Sequence, residues 1–307
     1  MLAFLIGMGE CAHHANALTY TTLDDPLADV YGTWVTGIDG SNIVGSYSYA
    51  GHARGFLHNG SAWTTIVDPL DAWGTHVQGI AGNTIVGYYY DSSINPHGFT
   101  YNIANGQYTT LDDPLSPNGT YLQGISGNNI VGWSGARAFV YNGSFTALPA
   151  NPATQRGISA CGIDGNNSVG WCYGGSSWTP RGFLYNNSNY TMLDDPLAGQ
   201  GSGQGTEALG VSGGNIVGEY TDSSNKQHGF LFDGSSYTTL DDPLGVSGTV
   251  AYGISGQTIV GVYVVGGDQD HGFVLVVPEP SSIVLLSVGL FGLLGWAWRR
   301  RRGQTWG

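Results

Sequence analysis

A nine-residue pattern of apolar and small residues recurs six times along the chain and dominates its distribution of hydrophobic positions. With small variations it reads Gly-Ile-x-Gly-x-x-Ile-Val-Gly, so that two short apolar runs flank a polar centre containing glycine. The interval from first to last glycine is eight residues in each copy. Short apolar runs joined by a tight glycine turn predict a β-hairpin. The copies begin at Gly37, Gly79, Gly124, Gly162, Gly210 and Gly253.

Two further motifs follow the hairpin pattern and predict two more strands in each repeat. The first is His or Arg, then Gly or Ala, then Phe, and it begins at Arg54, His97, Arg137, Arg181, His228 and His271. The second is Tyr-Thr-Thr-Leu-Asp-Asp-Pro-Leu at residues 20–27, 108–115 and 237–244, with a near copy at 190–197, a looser one at 63–70 and little of it at 145–149. Together the motifs divide residues 18–277 into six repeats of about 43 residues, with four short strands each.

Four strands in 40–45 residues are typical of a propeller blade, although a four-stranded solenoid or a chain of sandwiches has the same period. The two ends of the repeat region favour the propeller. The region begins with a lone fourth strand at 20–27 and ends with a repeat that lacks one. A solenoid would leave both fragments as open edges, whereas a closed ring lets the first strand complete the last blade. We therefore predict an all-β, six-bladed β-propeller of 24 strands, closed by exchange of the N-terminal strand.

The C-terminal segment is unlike the repeats. Residues 281–298 carry no charge and would span about 27 Å as a helix, close to the thickness of a hydrocarbon core. Four arginines, 299–302, follow immediately, and a buried core helix would not end in this way. We predict a transmembrane helix at 281–298, with the tail 299–307 held in the cytoplasm by its positive charge and the repeats on the other side.

A short motif before this helix points to a sorting signal. Pro278, Glu279 and Pro280, followed by the apolar span and the arginine cluster, resemble the PEP-CTERM sorting signal of Gram-negative bacteria. The resemblance implies export, initial anchoring in the inner membrane, and processing near the triplet by an exosortase-type enzyme. The protein would then be released or attached at the cell surface.

The N-terminal residues 1–17 predict a signal peptide. An apolar run at residues 2–8 is followed by the small-x-small site Ala15-Asn16-Ala17, but the positive residues that usually begin a signal peptide are missing. We therefore expect the true start to lie upstream. Between the two ends, the recurring His/Arg-Gly/Ala-Phe motif of residues 18–277 resembles the HAF-type extracellular repeat of bacterial surface proteins. That resemblance implies a repeat and a location, and it supplies no catalytic residues.

Charge narrows the function classes. The 307 residues include 51 glycines, only nine Lys or Arg and 22 Asp or Glu, for a net charge of −13. So few basic residues exclude a nucleic-acid partner, because phosphates would not be neutralised. Much of the acidity lies in the Asp-Asp-Pro motifs. Clustered carboxylates can bind calcium, but no calcium-loop motif is present, and an Asx turn leading into proline explains the motif better. No cofactor is predicted; calcium is left open.

The antiparallel arrangement of the third and fourth strands predicts one cross-strand pair in most repeats. The His or Arg that begins the third strand would lie beside the Asp that ends the fourth. Arg137 is the exception, since its own repeat has lost the Asp. The predicted pairs are His97 with Asp112 or Asp113, Arg54 with Asp68, Arg181 with Asp194 or Asp195, His228 with Asp241 or Asp242, and His271 with Asp24 or Asp25. A ring of such histidines cannot converge on one ion, so no metal site is predicted.

Other candidate chemistry is sparse. Cys161 and Cys172 lie on the two strands of one hairpin, and export into an oxidising compartment favours a disulfide between them. Glu207 and Glu219 are the only glutamates of residues 18–277. Glycoside hydrolysis needs two carboxyl groups, one of them held protonated, and the sequence does not establish this. We predict no catalytic residues and no enzymatic activity.

The loops that enter the first strand and leave the second vary most in length, and they fall on one face of a propeller. Loops on a rigid scaffold commonly bind ligands, although the two tryptophans among them could instead pack between blades. We predict an exported cell-surface or matrix protein that binds a glycan or protein partner. A secreted polysaccharide hydrolase using the central funnel, and a passive matrix component, are the alternatives. The candidate binding residues are Trp73, Asp91, Trp178, Asp222, Asp268 and Asp270.

Overall fold

The computed structural model describes residues 18–116, 118–150, 156–174, 178–186, 188–267 and 269–277, without the side chain of residue 156. The predicted signal peptide 1–17, the triplet 278–280, the helix 281–298 and the tail 299–307 lie outside these ranges. Residues 20–275 form one compact unit. Within the described ranges the regular structure is entirely β, and no helix there is suited to crossing a membrane.

Short strands follow one another through the described residues in six groups of four, the first strand belonging to the last group. Their bounds are β1 Thr19–Thr22, β2 Thr33–Asp39, β3 Asn42–Tyr49, β4 His52–His58, β5 Trp63–Ile66, β6 Thr75–Ala81, β7 Thr84–Tyr90, β8 Pro96–Asn102, β9 Gln107–Thr110, β10 Tyr121–Ser126, β11 Asn129–Ser134, β12 Arg137–Tyr141, β13 Phe145–Ala147, β14 Arg156–Asp164, β15 Asn167–Gly174, β16 Thr179–Asn186, β17 Asn189–Leu193, β18 Gly205–Ser212, β19 Asn215–Thr221, β20 Gln227–Phe232, β21 Tyr237–Leu240, β22 Gly248–Ser255, β23 Thr258–Val265 and β24 Gln269–Val276.

Each predicted repeat forms an antiparallel sheet whose strands follow chain order. Strands β2–β5, β6–β9, β10–β13 and β14–β17 make four separate four-stranded sheets. The remaining eight strands form one sheet, in which a single parallel bridge from Gln227 to Gly248 joins β18–β21 to β22–β24. Strand β1 pairs with β24, so the first described strand lies beside the last, as the sequence predicted.

A β-bulge at the same position of every repeat shapes the hairpin. In the first repeat Val35 pairs with Gly45 and Gly37 pairs with Val44, so Thr36 has no partner across the hairpin. A bulge bends its strand and increases the local twist. The other bulges leave out Gln78, Gln123, Cys161, Leu209 and Tyr252.

The bulge explains why the hairpin pattern ends in glycine. A Cβ on Gly45 would lie 2.0 Å from the carbonyl oxygen of Trp34 and 2.9 Å from the ring of Phe56. No side chain fits there, and the Phe ring of the third strand fills the space above the glycine. The hairpin pattern and the Phe motif are therefore two halves of one packing unit. The six Phe rings are all buried, at positions 56, 99, 139, 183, 230 and 273.

The Asp-Asp-Pro motif builds a turn, which confirms the Asx-turn interpretation. At the boundary between the first and second repeats, the Asp68 carboxylate accepts a hydrogen bond from the Leu70 N–H at 2.9 Å. The Asp68 N–H donates to Oγ1 of Thr75 at 3.1 Å, which ties the turn to the next repeat's first strand. The same pair of bonds recurs at Asp25, Asp113, Asp195 and Asp242.

The predicted cross-strand pairs form in four repeats. A ring nitrogen of the histidine lies within hydrogen-bond distance of the first Asp of the motif. The distances are 2.7 Å for His97 to Asp112, 2.9 Å for His228 to Asp241 and 2.7 Å for His271 to Asp24, and Arg181 pairs with Asp194. These pairs fasten the end of each fourth strand to the start of its third strand.

The first repeat departs from this scheme. The guanidinium of Arg54 lies 4.4 Å from the centre of the Tyr49 ring, a cation–π contact, and no ion pair to Asp68 is observed. The looser motif at 63–70 explains the difference, because it has a single Asp and that residue is used by the turn. The prediction for Arg54 was therefore wrong.

Apolar side chains from neighbouring sheets form the core between them. Val44, Leu57 and Ile66 of the first sheet pack with Val77 and Ile85 of the second. The first strands contact one another in the order β2, β6, β10, β14, β18 and β22, and β22 also contacts β2. A cavity of about 70 Å³ is lined by first-strand residues from all six repeats.

Candidate functional site

Two positions of each repeat recur as opposed residues on the first and second strands, and members of four of these pairs line the cavities described below. One lies three residues before the first glycine of the hairpin pattern, and the other lies directly after its last glycine. The two are directly opposite each other in the strand register, and we call them the wall pairs. The wall pairs are Trp34 with Ser46, His76 with Tyr88, Tyr121 with Trp133, Ser159 with Trp171, Glu207 with Glu219, and Val250 with Val262.

A large cavity of about 590 Å³ opens beside the wall pairs of the first and second repeats. Trp34 and His76 form part of its lining, and Gln78 lies deeper, at a bulge position. Tyr252 and Asp270, from the last repeat, complete the wall. A volume in this range is typical of small-molecule sites, and the lining combines aromatic faces with a few polar groups.

A small cavity of about 340 Å³ lies beside the third and fourth repeats. Its lining includes the indole rings of Trp133 and Trp171 together with Tyr173. Cys161 and Leu209 lie deeper, at the bulge positions of their strands. The same positions border the narrow 70 Å³ cavity, so both larger cavities approach the same central region.

Stacked rings connect the two cavities. His76 stacks on Tyr88 with ring centres 4.8 Å apart, Tyr88 meets Tyr121 edge-on at 4.9 Å, and Tyr121 stacks on Trp133 at 3.9 Å. Burial lowers the pKa of His76 to about 4, so its ring is neutral at physiological pH. Burial likewise raises the pKa of Tyr121 to about 12. This wall therefore presents uncharged aromatic rings.

The fifth wall pair is acidic. Burial raises the pKa of both Glu207 and Glu219 well above the ordinary carboxyl value, and the Glu219 charge raises that of Glu207 further. A hydrogen bond from Gln227 lowers the pKa of Glu219 in part. Oε2 of Glu219 is buried and has no hydrogen-bond partner among the described residues. Burial raises the pKa of Tyr252, a residue of the large cavity's lining, and the charges of Glu219 and Glu207 raise it further.

The candidate binding residues that were predicted from the sequence form two groups. Those of the first group lie at the cavities. Asp270 lines the large cavity, and its backbone bridges to Gly32. Trp73 is exposed, and its ring centre lies 5.9 Å from that of His52, a residue of the same lining. Trp178 is also exposed and meets Tyr173 of the small cavity edge-on at 5.1 Å.

The second group organises its own loops. Asp91 accepts hydrogen bonds from the N–H groups of Ser93 and Asn95, and these bonds lower its pKa to about 2. Asp222 does the same with Ser224 and Lys226. Both carboxylates also face the His of the next strand, at 3.4 Å and 3.5 Å. Asp268 lies outside the described residues.

The predicted disulfide is not present. Cys172 pairs with Ile158 across the hairpin, three positions from Cys161, and both cysteines are thiols. Cys161 lies at the bulge and lines the small cavity, whereas Cys172 is buried and its thiol donates to the carbonyl of Arg181 at 3.5 Å. The bulge and the hairpin register together separate the side chains, and the sequence pattern indicated neither.

No metal centre is found among the described residues, where no three His, Cys, Asp or Glu side chains lie together in a suitable arrangement. The wall pairs were not predicted, although the sequence carried a signal for them. Their positions vary among the six repeats, whereas the glycines beside them do not. Variable side chains within a constant frame are what a binding surface built on repeats requires.

Residues 276–302 match the model of the PEP-CTERM protein-sorting motif, as the sequence predicted. The motif indicates an exported protein that is processed by an exosortase. No curated protein matches the chain in sequence.

Solved structures that match this chain in fold include a six-bladed β-propeller lectin, a protease and the β-propeller domain of another protease. A six-bladed fungal lectin from Aleuria aurantia matches with a TM-score of 0.50 and 13% identity, over 83% of this chain and 99% of the lectin. The tricorn protease matches with a TM-score of 0.50 and 14% identity, over 76% of this chain and 24% of that chain. The β-propeller domain of the Trilobed protease from Pyrococcus furiosus matches with a TM-score of 0.48 and 8% identity, over 79% of this chain and 94% of that domain. At such identities the likeness concerns the fold alone, which is propeller-like.

Proposed function

We propose that the protein is an exported, six-bladed β-propeller that binds a glycan at the cell surface or in the extracellular matrix without acting on it chemically. The pairing of β1 with β24 and the contact of β22 with β2 support a closed ring. The PEP-CTERM motif and the resemblance to HAF-type repeats support the location. A helix at 281–298 would anchor the chain until an exosortase processes it.

The observation that carries the binding proposal is the aromatic lining of the large cavity. Trp34, Tyr31 and the neutral ring of His76, which is backed by Tyr88, line the cavity next to hydroxyl and amide groups such as Gln78. The C–H face of a sugar ring packs on an aromatic face, and its hydroxyls need hydrogen-bond partners at the edge. Both requirements are met along one wall.

The exposed tryptophans extend this surface outward. Trp73 adjoins the large cavity through His52, and Trp178 adjoins the small cavity through Tyr173. With Asp270 in the lining, three of the loop residues predicted from sequence belong to the proposed site. A chain-like ligand could contact a rim tryptophan and the cavity at the same time.

A glycan array probed with the full-length protein in detergent tests the proposal. Wild type is expected to bind at least one polysaccharide class, and Trp34→Ala to weaken that binding at least about tenfold, the loss of about 1.4 kcal/mol. Trp73→Ala and Trp178→Ala should weaken it less. Leu115→Ala removes an exposed apolar side chain outside both cavities and serves as the control. Unchanged binding by all three tryptophan variants would contradict the proposed site.

The acidic wall pair favours polysaccharide hydrolysis as a second candidate function. Retaining glycosidases use two carboxyl groups about 5 Å apart, and directly opposed residues on neighbouring strands have similar Cβ separations. A raised pKa would keep one of Glu207 and Glu219 protonated as the acid while the other is ionised. Release of reducing ends from a bound polysaccharide, abolished by Glu207→Gln or Glu219→Gln, would establish hydrolysis. Binding of a polysaccharide without release of reducing ends would support the binding function and contradict hydrolysis.

A further inference from the structure

The acidic wall pair stands out in an otherwise uncharged wall. The other five wall pairs consist of aromatic, serine, valine and neutral histidine side chains. Glu207 and Glu219 face each other across β18 and β19, and they are the only glutamates of residues 18–277. Placing two carboxyl groups side by side in an enclosed space is costly unless something compensates their charge.

Among the described residues, neither carboxyl group forms an ion pair with a Lys, Arg or His side chain. Gln227 on β20 donates a hydrogen bond to Glu219, and the charges of the pair raise the pKa of Tyr252 on β22 and, through Glu207, of Cys161 on β14; none of these three side chains is a cation. The described guanidinium groups are engaged elsewhere, Arg54 with the Tyr49 ring, Arg137 with Asp113 and Arg181 with Asp194. Gln227 donates a hydrogen bond to the Glu219 carboxyl group, but Oε2 of Glu219 is buried and accepts no hydrogen bond from the described residues.

Aromatic faces complete the environment. Trp171, the wall residue of the preceding repeat, lines the cavity whose floor includes Leu209, two residues from Glu207. Tyr252, on the first strand of the following repeat, lines the large cavity. A cation that is partly removed from water gains from aromatic faces as well as from carboxylates, whereas a neutral or anionic group gains little from this combination.

We propose that Glu207 and Glu219 receive a protonated primary amine of the bound glycan, so that the ligand is an amino sugar polymer whose amines are free rather than acetylated. The inference rests on the proposed glycan-binding function and names its ligand class. The amine donates to the two carboxyl groups, including the unpartnered Oε2 of Glu219, and the sugar ring lies against the aromatic wall.

Calorimetry with the full-length protein in detergent tests the inference. The probes are tetramers of glucosamine and of N-acetylglucosamine, in both β-1,4 and β-1,6 linkage, at about neutral pH. At least one glucosamine tetramer is expected to bind at least about tenfold more tightly than its acetylated counterpart. Added salt should reduce that preference, because it screens charges, and should leave acetylated binding nearly unchanged.

Variants separate the carboxyl pair from general charge effects. Glu219→Gln and the double change Glu207→Gln with Glu219→Gln keep the side-chain shape and should reduce the amine preference to about threefold or less. Asp233→Asn removes one negative charge from a turn outside the cavities and should leave the preference unchanged. Thermal melts establish that each variant is folded.

The outcomes distinguish the two proposals. Equal binding of free and acetylated tetramers, or an amine preference that survives the double variant, overturns the inference and leaves glycan binding intact. Binding of calcium at the pair with no preference for amines overturns it as well. If neither these tetramers nor any glycan of the array binds, the proposed function fails, and the inference fails with it.

Discussion

Arg137 donates a hydrogen bond to Asp113 at 2.6 Å, across the boundary between two repeats. Sequence reasoning left Arg137 without a partner, because its own repeat has lost the Asp-Asp-Pro motif. The structure gives it the buried second Asp of the preceding motif, which also accepts a bond from Ser134. Burial raises the pKa of Asp113, but the bonds from Ser134, the Leu115 N–H and Arg137 together bring it below its ordinary value.

Replacing Arg137 should therefore destabilise the protein. Arg137→Ala leaves the Asp113 carboxylate buried with fewer donors, and we expect a loss of about 2 kcal/mol in the free energy of unfolding near neutral pH. The loss should shrink at acid pH, because a carboxyl with a lowered pKa gives up its stabilisation as the pH falls through that value. Urea denaturation at several pH values measures both effects.

The control is the double variant Arg137→Ala with Asp113→Asn, which removes the charge as well as its partner. It should recover part of the stability that the single variant loses. Equal stability of wild type and Arg137→Ala would show that the pair contributes nothing.

The acidic wall pair predicts an opposite dependence on pH. The pKa of Glu207 and of Glu219 is raised in the folded state, so the folded protein holds protons that the unfolded chain releases. Their protonated forms therefore favour folding at low pH, and this contribution is lost as the pH rises through the folded pKa values. Each tenfold difference in proton affinity between the folded and unfolded states corresponds to about 1.4 kcal/mol of stability. Wild type should lose stability as the pH rises from about 4.5, where the unfolded chain releases these protons, to about 8.

The double variant Glu207→Gln with Glu219→Gln isolates this effect. Its unfolding midpoint in urea should vary less than that of wild type over the same range and should exceed it at the alkaline end. Parallel curves for the two proteins would contradict the raised pKa values.

The glycine at the end of the hairpin pattern should not tolerate a side chain. A Cβ on Gly261 would lie 2.0 Å from the carbonyl oxygen of Val250 and 2.8 Å from the Phe273 ring. We expect Gly261→Ala to lower the free energy of unfolding by about 3 kcal/mol, because backbone and ring must both move. Gly266→Ala, where nothing lies within 4 Å, is the matched control and should be nearly neutral. Similar melting temperatures for the two variants would count against this packing unit.

Strand β1 should be needed to protect β24. Leu23 donates to the carbonyl of Gly272 at 2.8 Å, and Tyr20 packs edge-on against Phe273 at 5.3 Å. A chain beginning at residue 26 should be less stable by about 3 kcal/mol or more than one beginning at residue 18, and it should self-associate through the exposed edge of β24. Light scattering and urea melts measure the two effects.

Adding a peptide of residues 18–27 provides the specific test of this pairing. The peptide can add to the open edge as a strand and should restore the monomer. A truncated chain that is monomeric and as stable as the longer one would show that β1 does not contribute to the unit.

Residue spacing alone determined most of the frame. The constant eight-residue interval between glycines predicted the hairpins, and the position of the His or Arg relative to the Asp predicted cross-strand pairs that formed for His97, Arg181, His228 and His271. These features depend on contacts between strands that are adjacent in the chain. Local turn geometry fixes such contacts, so they can be inferred without knowing how the sheets pack.

The register within each hairpin could not be predicted in detail from the sequence. The pattern does not reveal the bulge before each first glycine, and the bulge places Cys161 on the cavity side, away from Cys172. A shift of one residue reverses which face a side chain takes, so an unrecognised bulge was enough to make the disulfide prediction wrong.

Only the tertiary structure brought the wall pairs together. Trp34, Trp171 and Glu219 lie far apart in the chain, and the sequence shows merely that their positions vary from repeat to repeat. Trp34 lines the large cavity and Trp171 the small one, and both cavities reach the bulge positions of first strands that contact one another in turn. The sequence by itself determined the repeating frame, which local turns and strand pairing specify. The site depends on contacts between repeats, which no single repeat encodes.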